Sequence, residues 1–165
     1  MIVNKSVVEY INSLEDELPK HLKKLQEEAK KENVPIIKKE TQALLRFIIK
    51  LNKPKKILEI GTATGFSAIY MSEYMPEHAS ITTIEKAKMR LEKARTNLKT
   101  SPRADKITLL EGDALVILKE LARDANQSYD FIFLDAAKGQ YLNFLPSILD
   151  LLSYKGMLIT DNVLQ

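Results

Sequence analysis

The fold is decided by the stretch Lys56-Ile57-Leu58-Glu59-Ile60-Gly61-Thr62-Ala63-Thr64-Gly65-Phe66-Ser67. An apolar run that carries one carboxylate leads into a Gly-x-x-x-Gly turn, and a helix-forming segment follows. This order is typical of a buried parallel strand that turns into a helix, and ligands of open α/β sheets bind at such strand ends. The spacing differs from the Gly-x-Gly-x-x-Gly of dinucleotide-binding folds. A turn with no ligand could have the same Gly-x-x-x-Gly spacing. The segments that follow must therefore show whether this turn binds a ligand.

Strand-like and helix-like segments alternate after this turn. The strand-like apolar runs are Ile57–Ile60, Ile81–Ile84, Ile107–Leu110, Phe131–Leu134 and Met157–Ile159. The helical stretches between them are Ser67–Met75, Ala87–Leu98, Ala114–Ala122 and Tyr141–Leu152. Repeated βα units of this length predict an α/β fold, in which a parallel central sheet has helices on both faces and right-handed crossovers.

Residues 1–55 are predicted to form an N-terminal helical cap on this core. Apolar spacing indicates one helix over Lys5–Leu18, a second that starts at Pro19, and a third over residues 36–51. We therefore predict a single domain over 1–165, made of the cap and a core over 56–165.

Composition excludes several classes of protein. The chain has 165 residues, 45% hydrophobic and 28% charged, which suits a globular domain with a sizeable core. The absence of cysteine excludes disulfides, thiolate metal sites and a cysteine nucleophile, and it fits a reducing cytoplasm. No apolar run approaches the roughly 18 residues of a membrane span, and no signal-peptide core follows Met1. We expect a cytoplasmic protein.

Charge is unevenly distributed along the sequence. Residues 1–56 carry 13 Lys/Arg and 8 Asp/Glu, a net of +5, whereas the remaining residues carry 12 and 14, a net of −2. A basic front end is compatible with a polyanionic partner such as RNA. A solvated helix surface would explain the same charges.

Carboxylate or amide side chains occur at or just beyond the carboxyl end of every predicted strand. The residues at these ends are Glu59, Gly61, Gly65 and Ser67, then Glu85, then Gly112, Asp113 and Ala114, then Asp135 to Lys138, then Asp161 and Asn162. Helix capping explains some of them, and Asp113 in particular suits an N-cap. Glu85, at the end of the second strand, could accept both hydroxyls of a ribose, with Asp113 and Ala114 beside an adenine. The pattern favours an adenosine-containing ligand.

Three oxygen donors lie on strands that should be neighbours. Asp135, Asp161 and Asn162 form a hard-oxygen set, which would favour Mg²⁺ if they converge. Lys138 could enter the same cavity as a proton acceptor or as a clamp for an oxyanion. Alternatively, it is a surface lysine in a loop.

These motifs together resemble the metal-dependent class I S-adenosylmethionine O-methyltransferases, the catechol and caffeoyl-CoA O-methyltransferase-like family. The likeness is carried by Leu58–Ser67, Thr83–Glu85, Gly112–Ala114, Leu134–Tyr141 and Thr160–Val163. Within the family, the Asp135–Tyr141 run and the Val34–Ile36 lead-in look most like bacterial tRNA 5-hydroxyuridine methyltransferases, which make 5-methoxyuridine at the wobble position of the anticodon loop.

The resemblance implies roles for individual residues. It places Glu59, Gly61, Ser67 and Ile37 at the methionine part of S-adenosylmethionine, Glu85 at its ribose, and Asp113 and Ala114 at its adenine. Asp135 also belongs to the cofactor-binding set. Asp135, Asp161 and Asn162 would hold Mg²⁺, and Lys138 would be the catalytic lysine, with Asp135 contributing.

The resemblance also implies features beyond the site. The family commonly forms homodimers, for which the N-terminal helices are candidate contacts. It continues for about 50 residues past this sequence with two further strands, so the chain looks C-terminally truncated. Two other functions stay open: methylation of a small catechol-like phenol, and a non-catalytic nucleotide- or RNA-binding module.

Overall fold

A computed structural model of the chain describes residues 4–14 and 17–163. Its centre is one parallel sheet with strand order β3-β2-β1-β4-β5. The strands are β1 (Lys56–Ile60), β2 (Ser80–Glu85), β3 (Ile107–Glu111), β4 (Tyr129–Leu134) and β5 (Leu152–Thr160). The helices are α1 (Lys5–Ser13), α2 (Lys20–Lys31), α3 (Lys39–Asn52), α4 (Phe66–Tyr74), α5 (Lys88–Lys99), α6 (Ala114–Leu121) and α7 (Tyr141–Leu151). The predicted parallel, Rossmann-like α/β architecture is confirmed.

Alternation along β1 divides the core into two layers. Ile57 faces a cluster built with α2, α3 and α4, whereas Leu58 and Ile60 face a second cluster built with α6 and α7. All three side chains are fully buried. A strand buried on both faces needs the near-continuous apolar sequence that β1 has.

Strand order reverses between β1 and β4. β2 pairs with one side of β1 and β4 with the other, so that Ile60 lies level with both Ile84 and Leu134. The crossovers leave β1 and β4 in opposite directions from this point, which opens a crevice at the carboxyl ends of the strands. The site described below occupies that crevice.

The N-terminal segment differs in detail from its prediction. α1 ends at Ser13 instead of Leu18, and residues 15–16 of the predicted helix lie outside the described residues. α3 begins at Lys39, because residues 34–38 form an extended segment after Pro35. α1 contributes no buried residue, whereas α2 and α3 pack on α4. None of the helices in the described ranges has the length and apolar character needed to cross a membrane.

β5 is longer than the predicted Met157–Ile159. It begins at Leu152, directly after α7, and its pairing with β4 shifts register between Tyr129 and Phe131. The extra residues form an irregular start that includes Lys155 with φ +64°. Ser153, Tyr154 and Lys155 are not apolar core residues, so the apolar pattern of the sequence marks only the later part of the strand.

Candidate active site

A cavity of about 1000 Å³ opens at the carboxyl edge of the sheet. Most of the predicted site residues line it together: Ile37, Gly61, Ser67, Glu85, Asp113, Ala114, Asp135, Lys138, Asp161 and Asn162. They come from five strand ends and from the segment before α3. The sheet therefore brings both predicted groups, the cofactor set and the metal set, to one cavity.

The turn after β1 has an unusual backbone. Gly61 and Gly65 adopt φ +107° and +87°, values that favour glycine, and Ala63 between them has φ +48°. Gly65 begins α4 as its N-cap and does not itself line the cavity. A Cβ at Gly61 would overlap the carbonyl oxygen of Asp135, so no other residue fits there. The turn is thus fixed both by its own dihedrals and by the loop after β4.

Glu85 holds this turn in place. One carboxylate oxygen accepts from the Ala63 N–H at 2.8 Å, and the other accepts from the N–H groups of Lys86 and Ala87 at 2.9 and 2.8 Å. The side chain is buried but lines the cavity. A carboxylate has about four lone-pair sites, so capacity for ligand hydroxyls remains. The sequence predicted Glu85 as a site residue, but it did not indicate the hydrogen bonds that Glu85 accepts from main-chain N–H groups.

Glu59 lies inside β1 and not beyond its end. It is fully buried and is not part of the cavity lining. The Thr83 hydroxyl donates to Oε2 at 2.5 Å, and the Thr62 hydroxyl lies 2.5 Å from that of Thr83. Oε1 has no hydrogen-bond partner among the described residues. The sequence predicted that the Glu59 carboxylate would lie at the end of the strand. This prediction is wrong, because the structure buries the carboxyl within β1, outside the cavity lining.

Burial controls the protonation of Glu59. It raises the pKa of this carboxyl to about 7, and the charges of Asp135 and Glu85 act in the same direction. The hydroxyls of Ser67 and Thr83 oppose the shift. The group consequently titrates near neutral pH.

Asp113 caps α6, as the alternative interpretation predicted. Its Oδ1 accepts from the Leu115 N–H at 2.9 Å, and its Oδ2 accepts from Lys86 Nζ at 3.2 Å. These contacts hold the pKa of the carboxyl below its usual range, the Leu115 bond more than the lysine. Asp113 still lines the cavity next to Ala114, so capping and ligand contact are compatible.

Ile37 forms part of the wall opposite the sheet. It is buried, and its carbonyl accepts from Gln42 Nε2 at 2.8 Å. The carbonyl of Gln42 in turn accepts from the Tyr70 hydroxyl at 2.9 Å. These bonds connect the extended segment before α3 to α4, which fixes an apolar surface where the resemblance predicted one.

Asp135 and Asp161 follow neighbouring strands at the same level. Leu134 pairs with Thr160, and the Asp161 N–H donates to the Leu134 carbonyl at 3.0 Å. Burial raises the pKa of Asp135 and the charge of Asp161 raises it further, while Lys138 and Arg90 oppose the shift. Asn162 adopts φ +57°, a left-handed conformation that asparagine tolerates. Asp135, Asp161 and Asn162 therefore line one cavity, and their convergence on a metal ion stays a prediction.

Cationic side chains surround the mouth of the cavity. Lys138 lines it as predicted, together with three exposed residues that sequence reasoning did not single out: Lys38, Lys86 and Arg90. Because they come from separate elements, only the fold brings them together. Among the described residues, no group of three or more His, Cys, Asp or Glu side chains forms a metal site; the candidate site here combines two carboxylates with an amide.

Comparison with known proteins defines the class. Residues 11–165 match the profile of a family described as O-methyltransferase. A caffeoyl-CoA O-methyltransferase of Eucalyptus globulus is 32% identical over 149 residues, which cover 88% of this chain and 61% of that protein. One of Stellaria longipes is 32% identical over 123 residues, 73% of this chain and 51% of that protein.

Two solved structures share the fold. The O-methyltransferase TomG of Streptomyces achromogenes, involved in tomaymycin synthesis and solved with SAM, has a TM-score of 0.84 at 28% identity, covering 95% of this chain and 71% of that one. The SAH-bound methyltransferase PaMTH1 of Podospora anserina has a TM-score of 0.88 at 28% identity, covering 98% and 72%. The chain belongs to the O-methyltransferase family. It spans 51% and 61% of the two curated relatives above.

Proposed function

We propose that this chain forms the catalytic core of an S-adenosylmethionine- and Mg²⁺-dependent O-methyltransferase. The observation that carries the proposal is the shared cavity: Glu85 and Asp113 lie at one end of the sheet edge, and Asp135 and Asp161 follow the strands at the other. A methyl donor and an acceptor must meet in one place for direct transfer. The arrangement provides that place.

The first part of the proposal concerns the cofactor. Gly61 allows the backbone to approach a ligand closely, and Glu85 can accept from ribose hydroxyls. Glu59 lies behind the same wall with one buried oxygen that has no hydrogen-bond partner among the described residues, and its assignment to the methionine moiety follows from the family resemblance. The SAM and SAH bound by the two solved relatives support this assignment.

The second part concerns the metal. Asp135 and Asp161 follow neighbouring strands, and the charge of Asp161 contributes to the raised pKa of Asp135. A cation would relieve that repulsion, and carboxylate and amide oxygens suit Mg²⁺. We assign Asp135, Asp161 and Asn162 as the residues that would hold it.

Each group then has a task in methyl transfer. Bound Mg²⁺ would orient an acceptor hydroxyl and lower its pKa, and the cofactor would supply the methyl group. Lys138, at the mouth of the cavity, would take up the acceptor's proton or stabilise the resulting oxyanion. Ile37 and Ala114 supply apolar walls that exclude water. No covalent intermediate is required.

For the acceptor we propose 5-hydroxyuridine at the wobble position of tRNA. Two observations support a polyanionic acceptor: the net charge of +5 over residues 1–56, and the exposed cations Lys38, Lys86, Arg90 and Lys138 around the cavity. Phosphates would pair with such side chains, and the binding would weaken as salt rises. The anticodon loop would present its base as a splayed single strand.

A catechol-like phenol is the second candidate acceptor. The names of the curated relatives, caffeoyl-CoA O-methyltransferases, favour it. The same oxygen donors and the same lysine would serve a phenolic hydroxyl. The two candidates differ in what the cations around the cavity would contact.

One assay separates these possibilities. The chain is incubated with S-[methyl-³H]adenosylmethionine and either tRNA that carries unmethylated 5-hydroxyuridine or caffeoyl-CoA, with Mg²⁺ or with EDTA. We expect Mg²⁺-dependent transfer to the tRNA, and loss of transfer in Asp135→Asn but not in Asp150→Asn, a change at an exposed residue of α7.

The alternative outcomes are distinct. Transfer to caffeoyl-CoA alone would replace the tRNA proposal by the second candidate. Transfer that persists in EDTA would contradict the metal assignment. SAH binding without transfer to either acceptor would favour a non-catalytic binding module.

We also propose a homodimer through the N-terminal helices. α1 and α3 expose large apolar side chains, among them Tyr10 and Ile11 on α1 and Phe47 and Leu51 on α3. Burying them would be favourable at about 25 cal/mol per Å² of apolar surface. Light scattering after size-exclusion chromatography tests this: a mass that stays at 18.8 kDa over a wide concentration range would refute it.

A further inference from the structure

Tyr141 connects the two segments that carry Asp135 and Asp161. It is the first residue of α7, and its hydroxyl lies 3.1 Å from the Asp161 carbonyl oxygen and 3.3 Å from that of Leu134. The same oxygen accepts a hydrogen bond from the Ala136 N–H. One phenolic group therefore accepts from the residue after Asp135 and donates toward Asp161 itself.

This link lies where the sheet ends. At the end of the β4–β5 pair, the Asp161 N–H donates to the Leu134 carbonyl at 3.0 Å. Beyond it, the Asp135 loop turns toward α7, while the segment after β5 enters the left-handed conformation of Asn162. The Tyr141 hydroxyl extends the connection between the strands past their final ladder bond.

The two carboxylates benefit from such a support. Asp135 and Asp161 follow neighbouring strands and line one cavity, so their negative charges repel. A cation site requires both donors at a fixed separation before the ion arrives, since moving them on binding reduces affinity.

We propose that Tyr141 is a positioning residue, whose hydroxyl holds Asp135 and Asp161 at the separation that a divalent cation requires. The inference rests on the metal site of the proposed function. The Tyr141 ring packs against the core cluster of α6 and α7, whereas only the hydroxyl makes the link between the strands. The ring and the hydroxyl can therefore be tested separately.

The experiment measures Mn²⁺ binding by electron paramagnetic resonance, with no turnover required. Tyr141→Phe keeps the ring and removes the hydroxyl, and Tyr154→Phe is the matched control because Tyr154 is 91% exposed on β5. We expect the Mn²⁺ dissociation constant to rise about tenfold in Tyr141→Phe, the size seen when groups that orient metal ligands are lost. We expect no change in Tyr154→Phe.

A second readout distinguishes positioning from general damage. SAH affinity, measured by calorimetry, should change less than about twofold in Tyr141→Phe, because the hydroxyl contacts no residue of the glycine turn. Amide exchange at Ala136 should accelerate, since its acceptor is gone. Unchanged Mn²⁺ affinity, or an equal loss of Mn²⁺ and SAH affinity, would overturn the inference.

Failure of the underlying metal site has its own signature. If the unmodified chain binds Mn²⁺ and Asp135→Asn abolishes it, the metal site stands and Tyr141→Phe alone decides the inference. If the unmodified chain binds no Mn²⁺, both the metal assignment and the role of Tyr141 are wrong.

Discussion

Gly61 lies directly against the main-chain carbonyl of Asp135, with no space for a Cβ between them. The relationship joins the two halves of the cavity, because Gly61 belongs to the turn assigned to the cofactor and Asp135 begins the loop assigned to the metal. A larger residue at position 61 would push the two loops apart. The methyl donor and acceptor would be positioned by this one backbone contact.

Gly61→Ala should therefore damage both stability and cofactor binding. The positive φ costs on the order of 1–3 kcal/mol for a residue with a Cβ, and the overlap with Asp135 adds to it. Urea unfolding and SAH calorimetry measure the two effects. Gly139→Ala is the control, because nothing lies within 4 Å of a Cβ there. Equal behaviour of the two variants would contradict the close contact.

Glu85→Ala should loosen the glycine turn. Three main-chain N–H groups lose their acceptor, and the ligand loses a carboxylate, so we expect SAH affinity to fall by roughly 1–3 kcal/mol. Glu111→Ala serves as control: Glu111 lies beside Glu85 on β3, but it only pairs with Arg95 at the surface. Calorimetry that shows unchanged SAH affinity in Glu85→Ala would refute the ribose assignment.

Glu59 should make stability depend on pH in a defined direction. The folded chain keeps this proton up to about pH 7, whereas the unfolded chain releases it near 4.5. The contribution of Glu59 to the free energy of unfolding therefore falls as pH rises from about 4.5 to 7, and it is flat above that range.

Glu59→Gln should remove this part of the slope. Between pH 4.5 and pH 8, titration of Glu59 should lower the free energy of unfolding of the unmodified chain by up to about 3 kcal/mol, as the shift in pKa implies. The variant lacks this loss, so the difference in the free energy of unfolding between the two chains should change by the same amount. Urea titrations at several pH values measure the difference, with Glu120→Gln, an exposed carboxyl, as the control. Parallel pH profiles of Glu59→Gln and the unmodified chain would contradict the raised pKa.

Arg103 should stabilise the end of α4. Its guanidinium donates to the carbonyls of Ser72 in the last turn and of Met75 at the C-cap, acceptors of the kind that a helix end leaves unpaired, and to that of Pro76 just beyond. Arg103→Ala should lower the free energy of unfolding by about 1–3 kcal/mol, measured by urea denaturation. Arg123→Ala, at an exposed position, should change it by less than about 0.5 kcal/mol. A loss of similar size in both variants would count against the capping role.

Local patterns in the sequence predicted much of the fold. Apolar strands, glycine turns and caps such as Asp113 depend on neighbouring residues, and each was recognised within a few positions. The start of β5 was missed because Ser153, Tyr154 and Lys155 are polar or exposed and lie at the irregularity where the pairing with β4 passes from Leu152 to Met157. Edge pairing of this kind depends on the partner strand and leaves little trace in the strand's own sequence.

The sequence also predicted part of the candidate site. The oxygen donors could be found because parallel strands bring their carboxyl ends to one edge. The buried position of Glu59, the contacts of Glu85 with the backbone and the link through Tyr141 could not be found, because each depends on distances between segments far apart in the sequence. The exposed Arg90 lines the cavity only because of the way α5 packs.

The central claim is that cofactor and metal meet in one cavity. The most direct test is a crystal structure of the chain grown with SAH and Mn²⁺, with anomalous scattering recorded for manganese. We expect SAH along Gly61, Glu85 and Asp113, and one manganese peak held by Asp135, Asp161 and Asn162. SAH outside this cavity, or manganese bound away from those three residues while SAH is in place, would contradict it.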